Sequence, residues 1–158
     1  MRRIARFMKV SREQFTADFK DAFPACGQEQ IAQIYDALKL PARATGGSAG
    51  YDFFMPIQIE LKPGETVKIP TGIRVTMQPE WVLHLYPRSG LGFKYRLQLN
   101  NTVGIIDSDY FNSDNEGHIF AKITNDSNED KTVEIPAGTG FAQGIFMPVS
   151  YTHLTLPT

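Results

Sequence analysis

The chain has 158 residues, 42% of them apolar and 21% charged, with a formal net charge of −1. That length suits one domain with a buried core, and no apolar run is long enough to span a bilayer. Acids and bases are interspersed, so no basic face offers itself to a nucleic-acid polymer, whereas a small anionic ligand needs only a local cluster of donors.

The chain opens on basic residues, Arg2, Arg3 and Arg6, with no apolar signal core behind them, so export is not expected. Cys26 is the single cysteine; it excludes an internal disulfide framework, fits a reducing cytoplasm, and reads as a plain thiol with no nearby histidine pattern. Ser11-Arg12-Glu13-Gln14 has the spacing of a capping box. Phe15, Phe19 and Phe23 follow at intervals of four, one stripe of a helix that Pro24 ends. A second helical pattern runs through Ile31, Ile34, Tyr35 and Leu38. Residues 1–39 are therefore expected to form a mostly helical extension. Its aromatic stripe reads as a packing face, with a docking surface for a partner protein as the functional alternative.

From residue 40 the texture changes. Small residues and glycines lead into short alternating stretches at 57–61, 67–69, 72–77 and 81–86, then 131–135 and 141–147, separated by turn signals such as Pro63-Gly64. Many short strands without helical crossovers predict a sandwich or barrel. The expected fold class is all-β, a jelly-roll-like double sheet over 40–148. His84, His118 and His153 have no metal-ligand spacing and read as structural. Walker and Rossmann fingerprints are absent.

Two stretches carry chemistry. Asn100-Asn101-Thr102-Val103-Gly104-Ile105-Ile106-Asp107-Ser108-Asp109-Tyr110 reads as one arm of a β-hairpin. Its Gly marks a close approach of backbone to something else, and its Asp107 ends a buried run, where a carboxylate can be held still. An ordinary hairpin whose Asp-Ser-Asp is only its turn remains the plain alternative. Pro87-Arg88-Ser89-Gly90-Leu91-Gly92 combines a planar fork of donors, a hydroxyl and glycines that let backbone N–H groups approach oxyanions. A simple glycine-rich turn is its plain alternative.

Together with Ala49-Gly50-Tyr51-Asp52 upstream and Gly138-Thr139-Gly140-Phe141-Ala142-Gln143 downstream, these strings resemble the trimeric deoxyuridine triphosphatases (dUTPases), in order and in spacing, over residues 40–147. The resemblance implies a β-clip of the jelly-roll kind and hydrolysis of dUTP to dUMP and pyrophosphate by water attack on the α-phosphate. It implies a homotrimer with sites at subunit boundaries. By the same resemblance Asp107 holds the attacking water, with Asp109 as its competitor by sequence. Asn101 and the backbone of Gly104 and Ile106 recognise uracil. Tyr110 stacks under the deoxyribose and leaves no space for a 2′-hydroxyl. Arg88, Ser89, Gly90 and Gln143 bind phosphates, and Asp52 orients the arginine or a water. The implied cofactor is Mg²⁺, carried mainly by triphosphate oxygens and waters, so no protein metal ligand is named.

The chain departs from the family pattern in three places. The helical extension is additional to the compact enzymes. Phe111-Asn112-Ser113-Asp114-Asn115-Glu116-Gly117 is longer than the family's tight turn and reads as an exposed loop. Residues 149–158 stand where a glycine-rich arm is expected; they resemble the in-frame translation of a transposase adapter and read as a non-native tail. Weak binding, slow turnover and a loosened trimer would follow from losing that arm. The alternatives carried forward are a dCTP deaminase of the same fold and a nucleotide-sensing regulatory protein.

Overall fold

The structure is a computed structural model, and it describes residues 2–150. The expected tail therefore falls almost wholly outside the described residues. Strand β1 (Ala5–Lys9) is followed by helices α1 (Arg12–Ala22) and α2 (Gln28–Ala37). Ser11 caps α1 by accepting from the Gln14 N–H, and the helix ends at Phe23, one residue before Pro24. The β domain then runs β2 (Tyr51–Phe54), β3 (Ile59–Leu61), β4 (Thr66–Pro70), β5 (Ile73–Met77) and β6 (Trp81–Pro87). A short helix α3 (Ser89–Tyr95) leads to β7 (Leu97–Leu99) and β8 (Gly104–Ile106). A 3-10 turn (Ser108–Asn112), β9 (Phe120–Asn125), β10 (Val133–Ile135) and β11 (Gly140–Pro148) complete the described chain.

All strand pairs are antiparallel. The largest sheet has the order β2-β11-β6-β8, a second has β4-β9-β7, and two pairs, β1-β5 and β10-β3, flank them. The main core lies between the sheets, where Phe53, Met55, Ile69, Leu83, Leu85 and Phe141 are all but sealed from solvent. This is the jelly-roll-like all-β architecture that the alternation in the sequence predicts. A smaller core of Val10, Phe15, Phe19 and Ile31 sits under the two helices. The phenylalanine stripe is thus a packing face turned onto the β domain. Gly72, at φ +77°, lets it close: a Cβ there would fall 3.3 Å from the Phe15 ring.

Three local expectations are corrected. Residues 5–9 form a strand paired with β5, Ala5 opposite Met77 and Lys9 opposite Ile73. Phe7 holds that strand by packing on Tyr51, Phe53 and Phe146. The hairpin arm keeps only a short strand, β8, and its Asp-Ser-Asp-Tyr end winds into the 3-10 turn. The loop 111–117 is not simply exposed: Gly117 is buried, and Glu116 accepts from the Ser11 backbone N–H at 2.7 Å and its hydroxyl at 2.5 Å. The Arg74 guanidinium stacks 3.6 Å from the Phe111 ring centre and donates to the Phe111 carbonyl.

Candidate active site

One end of the large sheet gathers the groups suited to phosphates. Asp52 and Gln143 are register partners in β2 and β11, and Gln143 faces Tyr86 in β6. Arg88 follows β6 directly, and its Nε lies 3.4 Å from Asp52 Oδ1. The Gln143 side-chain amide donates to the Pro87 carbonyl at 3.3 Å. Two glycines make this density possible: a Cβ on Gly140 would sit 2.9 Å from Arg88 Nη1, and one on Gly50 would sit 2.6 Å from Gln143 Oε1. Asp52 is largely covered while Arg88 is 43% exposed, so the carboxylate steadies a guanidinium that still faces outward.

The stretch 87–92, for which a simple glycine-rich turn is the plain alternative, is the start of α3, with Arg88 at its N-cap. The first amide of that helix bonded within it is Gly92, to the Arg88 carbonyl. The N–H groups of Ser89, Gly90 and Leu91 precede it, in the first turn, where donors lack helical partners and the helix end is positive. Gly90 has no atom within 4 Å of where a Cβ would stand, so its backbone is open to a ligand. An open cavity of about 540 Å³ lies here, bordered by Tyr86, Arg88, Ser89, Phe93, Gln143 and Ile145. Phe93, 93% exposed at its rim, was not singled out from the sequence; no local periodicity distinguishes it.

The other end carries the hairpin groups. Among the described residues β8 is an edge strand, paired only with β6, so one row of its backbone donors and acceptors faces away from the sheet. Gly104 and Ile106 are buried and Ile105 is 55% exposed. Gly104 packs against Leu85 so closely that a Cβ would fall 2.9 Å from the Leu85 Cβ. Asn101 is exposed in the turn before β8, and Thr102 is left-handed at φ 67°. A second hollow of about 360 Å³ brings Lys68, Phe120 and Lys122 beside Asn101; strand pairing places them there, and the sequence carried no sign of it.

Asp107 sits at the N-cap position of the 3-10 turn without capping it. The carboxylate is exposed, as is that of Asp109, and among the described residues no hydrogen bond holds the Asp107 side chain. Tyr110 packs on the main core. Its hydroxyl donates to the His118 carbonyl at 2.7 Å and accepts from Asn115 Nδ2 at 2.9 Å.

The two ends are apart. Gly104 lies opposite Leu85 and Ile106 opposite Leu83, which puts Asp107 level with Val82 while Arg88 lies past the far end of β6. Six residues of strand at roughly 3.3 Å each separate them by about 20 Å. Asp52, Arg88 and Gln143 meet; Asp107 and Tyr110 do not join them within the chain.

Among the described residues no group of three or more His, Cys, Asp or Glu side chains converges to hold a metal ion, and no helix is long and apolar enough to cross a membrane.

Residues 36–158 match the family model described as dUTPase. A deoxyuridine 5'-triphosphate nucleotidohydrolase of Lactococcus lactis subsp. lactis is 43% identical over 124 residues, 77% of this chain and 81% of that protein. One of Shewanella pealeana is 44% identical over 128 residues, 79% of this chain and 80% of that protein. The crystal structure of dUTPase from Streptococcus mutans superimposes with a TM-score of 0.63 at 43% identity, covering 72% of this chain and 88% of that one. The chain belongs to the dUTPase family.

Proposed function

We propose that this protein hydrolyses dUTP to dUMP and pyrophosphate, in sites that two or more copies of the chain complete together as a homotrimer. The observation that carries the shared site is the separation of its halves. The edge of β8, Asp107 and Tyr110 supply a base-reading backbone, a carboxylate and a sugar platform. Arg88, Ser89, Gly90 and Gln143, about 20 Å away along β6, supply the phosphate donors. A general base must come within hydrogen-bond reach of its water, and that water within about 3–3.5 Å of phosphorus. One copy of the chain cannot bring both halves onto one nucleotide; the β8 end of one copy meeting the Arg88 end of another can.

In that arrangement the unpaired edge of β8 offers uracil a donor and acceptor together, and Asn101 closes the base from the side. Tyr110 lies under the deoxyribose. The Asp107 carboxylate, without a hydrogen-bond partner among the described residues, orients the water in line with the α-phosphorus and takes up its proton. Arg88, steadied by Asp52, neutralises charge on the phosphoryl oxygens together with Ser89, Gln143 and the first-turn amide of Gly90. The donor set suits Mg²⁺ held by triphosphate oxygens and water rather than by a protein cage; when bound it draws negative charge off the phosphates. The lone Cys26 thiol fits a cytoplasmic setting. A protein partner on residues 1–39 would have to use the polar faces of α1 and α2, because their apolar faces are turned inward.

The test is complementation. Asp107→Asn and Arg88→Ala are each expected to abolish pyrophosphate release from dUTP. Co-expressed under different tags and purified as mixed trimers, they should regain part of it, because some sites then combine an intact Asp107 with an intact Arg88. Mixed trimers as inactive as either parent would place both residues in one copy's site. Turnover of dCTP with ammonia release would favour the deaminase instead.

A further inference from the structure

Residues 111–118 and helix α1 meet in a hydrogen-bonded network whose α1 side lies outside residues 36–158, the part that matches the family. Its centre is His118, which is completely buried. The Gly72 N–H donates to His118 Nε2 at 2.8 Å. A backbone N–H can only donate, so Nε2 is the acceptor and the ring proton resides on Nδ1. Nδ1 donates to Asp18 Oδ2 at 2.6 Å, and the Gln14 side-chain amide donates to the same carboxylate oxygen at 2.9 Å. A neutral imidazole is thus clamped between the β domain and α1, a state that its burial also favours by pushing its pKa down.

The same residue holds Tyr110 through its main chain. Its N–H donates to the Asn115 carbonyl at 3.1 Å, and its C=O accepts the Tyr110 hydroxyl at 2.7 Å. Asn115 returns a bond from Nδ2 to that hydroxyl and accepts the Gly117 N–H on Oδ1. Glu116 ties the loop a second time to α1, at the Ser11 N-cap. The phenol oxygen is fixed from two sides by a loop that α1 holds closed.

We infer that Asp18 is a positioning residue for sugar selection: through His118 it locks the Tyr110 ring against the deoxyribose and so enforces rejection of a 2′-hydroxyl. The inference rests on the reading of Tyr110 as the sugar platform. A ribose differs by one oxygen, and a ring able to retreat by about 1 Å accommodates it, because close-packed contacts discriminate only while their walls are rigid. Asp18 and Gln14 lie outside residues 36–158, the part that matches the family, so the extension adds this support to the shared domain.

The experiment measures kcat/KM for dUTP and for UTP, with thermal melting alongside, for the parent chain and its Asp18→Ala, Asp18→Asn, Tyr110→Phe and Tyr110→Ala variants. Asp18→Ala should lower the dUTP-to-UTP ratio about tenfold, the scale of one lost charge-assisted hydrogen bond, chiefly by improving KM for UTP. Asp18→Asn keeps a carboxamide oxygen for His118 and should recover most of the ratio. A merely structural role would lower melting temperature and leave the ratio unchanged; that result overturns the inference. If Asp18→Ala does not fold, Tyr110→Phe decides, because it keeps the ring and removes the locking bond: an unchanged ratio overturns the inference, and a similar tenfold fall supports it. Tyr110→Ala tests the underlying reading separately. If it retains full discrimination, Tyr110 is not the sugar platform; if it loses discrimination while Asp18→Ala does not, only the role of Asp18 is wrong.

Discussion

Gly104→Ala measures how tightly the base-reading strand is seated. Gly104 is buried in β8 opposite Leu85, and the added methyl carbon would fall 2.9 Å from the Leu85 Cβ. Carbon atoms rest comfortably at about 3.5–4.0 Å, so the two strands must part by roughly 0.6–1 Å. Leu85 is 1% exposed and enclosed by the main core, whereas β8 is an edge strand with no neighbour on its far side among the described residues. The yield therefore falls on β8, and Ile106 and Asp107 move with it. Overpacking of this kind costs about 1–3 kcal/mol of stability. A displacement near 1 Å at reacting groups costs about 10²-fold in rate. The assay pairs urea denaturation with kcat/KM for dUTP and calorimetric titration of a non-hydrolysable dUTP analogue. The expected result is a folded protein, 1–3 kcal/mol less stable by the same overpacking scale (about), whose kcat/KM drops about a hundredfold with weakened analogue binding. Loss of stability with kcat/KM and binding unchanged would refute the reasoning, because it would mean that Leu85 gives way and the backbone of β8 does not.

Acid should loosen the fold in two stages. Burial, the dominant influence, lowers the pKa of His118 below its ordinary 6.5, against the bond and charge of Asp18 and the charge of Glu116, with Lys68 adding to the depression. The unfolded chain therefore takes up a proton that the folded chain resists, and this contribution to stability is complete above 6.5 and declines as pH falls below it. The two Ser11 hydrogen bonds depress Glu116 below its ordinary 4.5, so its contribution is present above 4.5 and is lost at lower pH. Melting temperature should begin to fall below 6.5; a His118→Gln variant showing the same early fall would exclude His118 as its source. Glu116→Ala should cost about 1–3 kcal/mol by removing both bonds to Ser11. A double-mutant cycle with Ser11→Ala, followed by denaturant unfolding, should show coupling between the two sites; strict additivity would mean that the pair contributes nothing.

The sequence carried its own local rules into the fold. Alternation at 57–61, 72–77 and 81–86 marks residues that must face a core on one side, and that pattern is legible because burial repeats with the strand's period of two. Ser11 and Pro24 bracket α1 because a cap and a missing N–H act on their immediate neighbours. The four glycine- and acid-containing strings identified the family because each encodes a backbone shape and a set of donors within a few residues. β1 escaped notice because its reason for being a strand lies elsewhere, in β5 and in the aromatic rings of Tyr51, Phe53 and Phe146 around Phe7. Loop 111–117 looked exposed because its turn formers are a local signal. What holds it is Ser11, 105 positions from Glu116, and the partner that clamps His118 is Asp18, 100 positions away. Only the tertiary structure decided that Asp52, Arg88 and Gln143 share one end of a sheet and Asp107 the other. Pairing register converts sequence order into position, and no residue's own chemistry contains it.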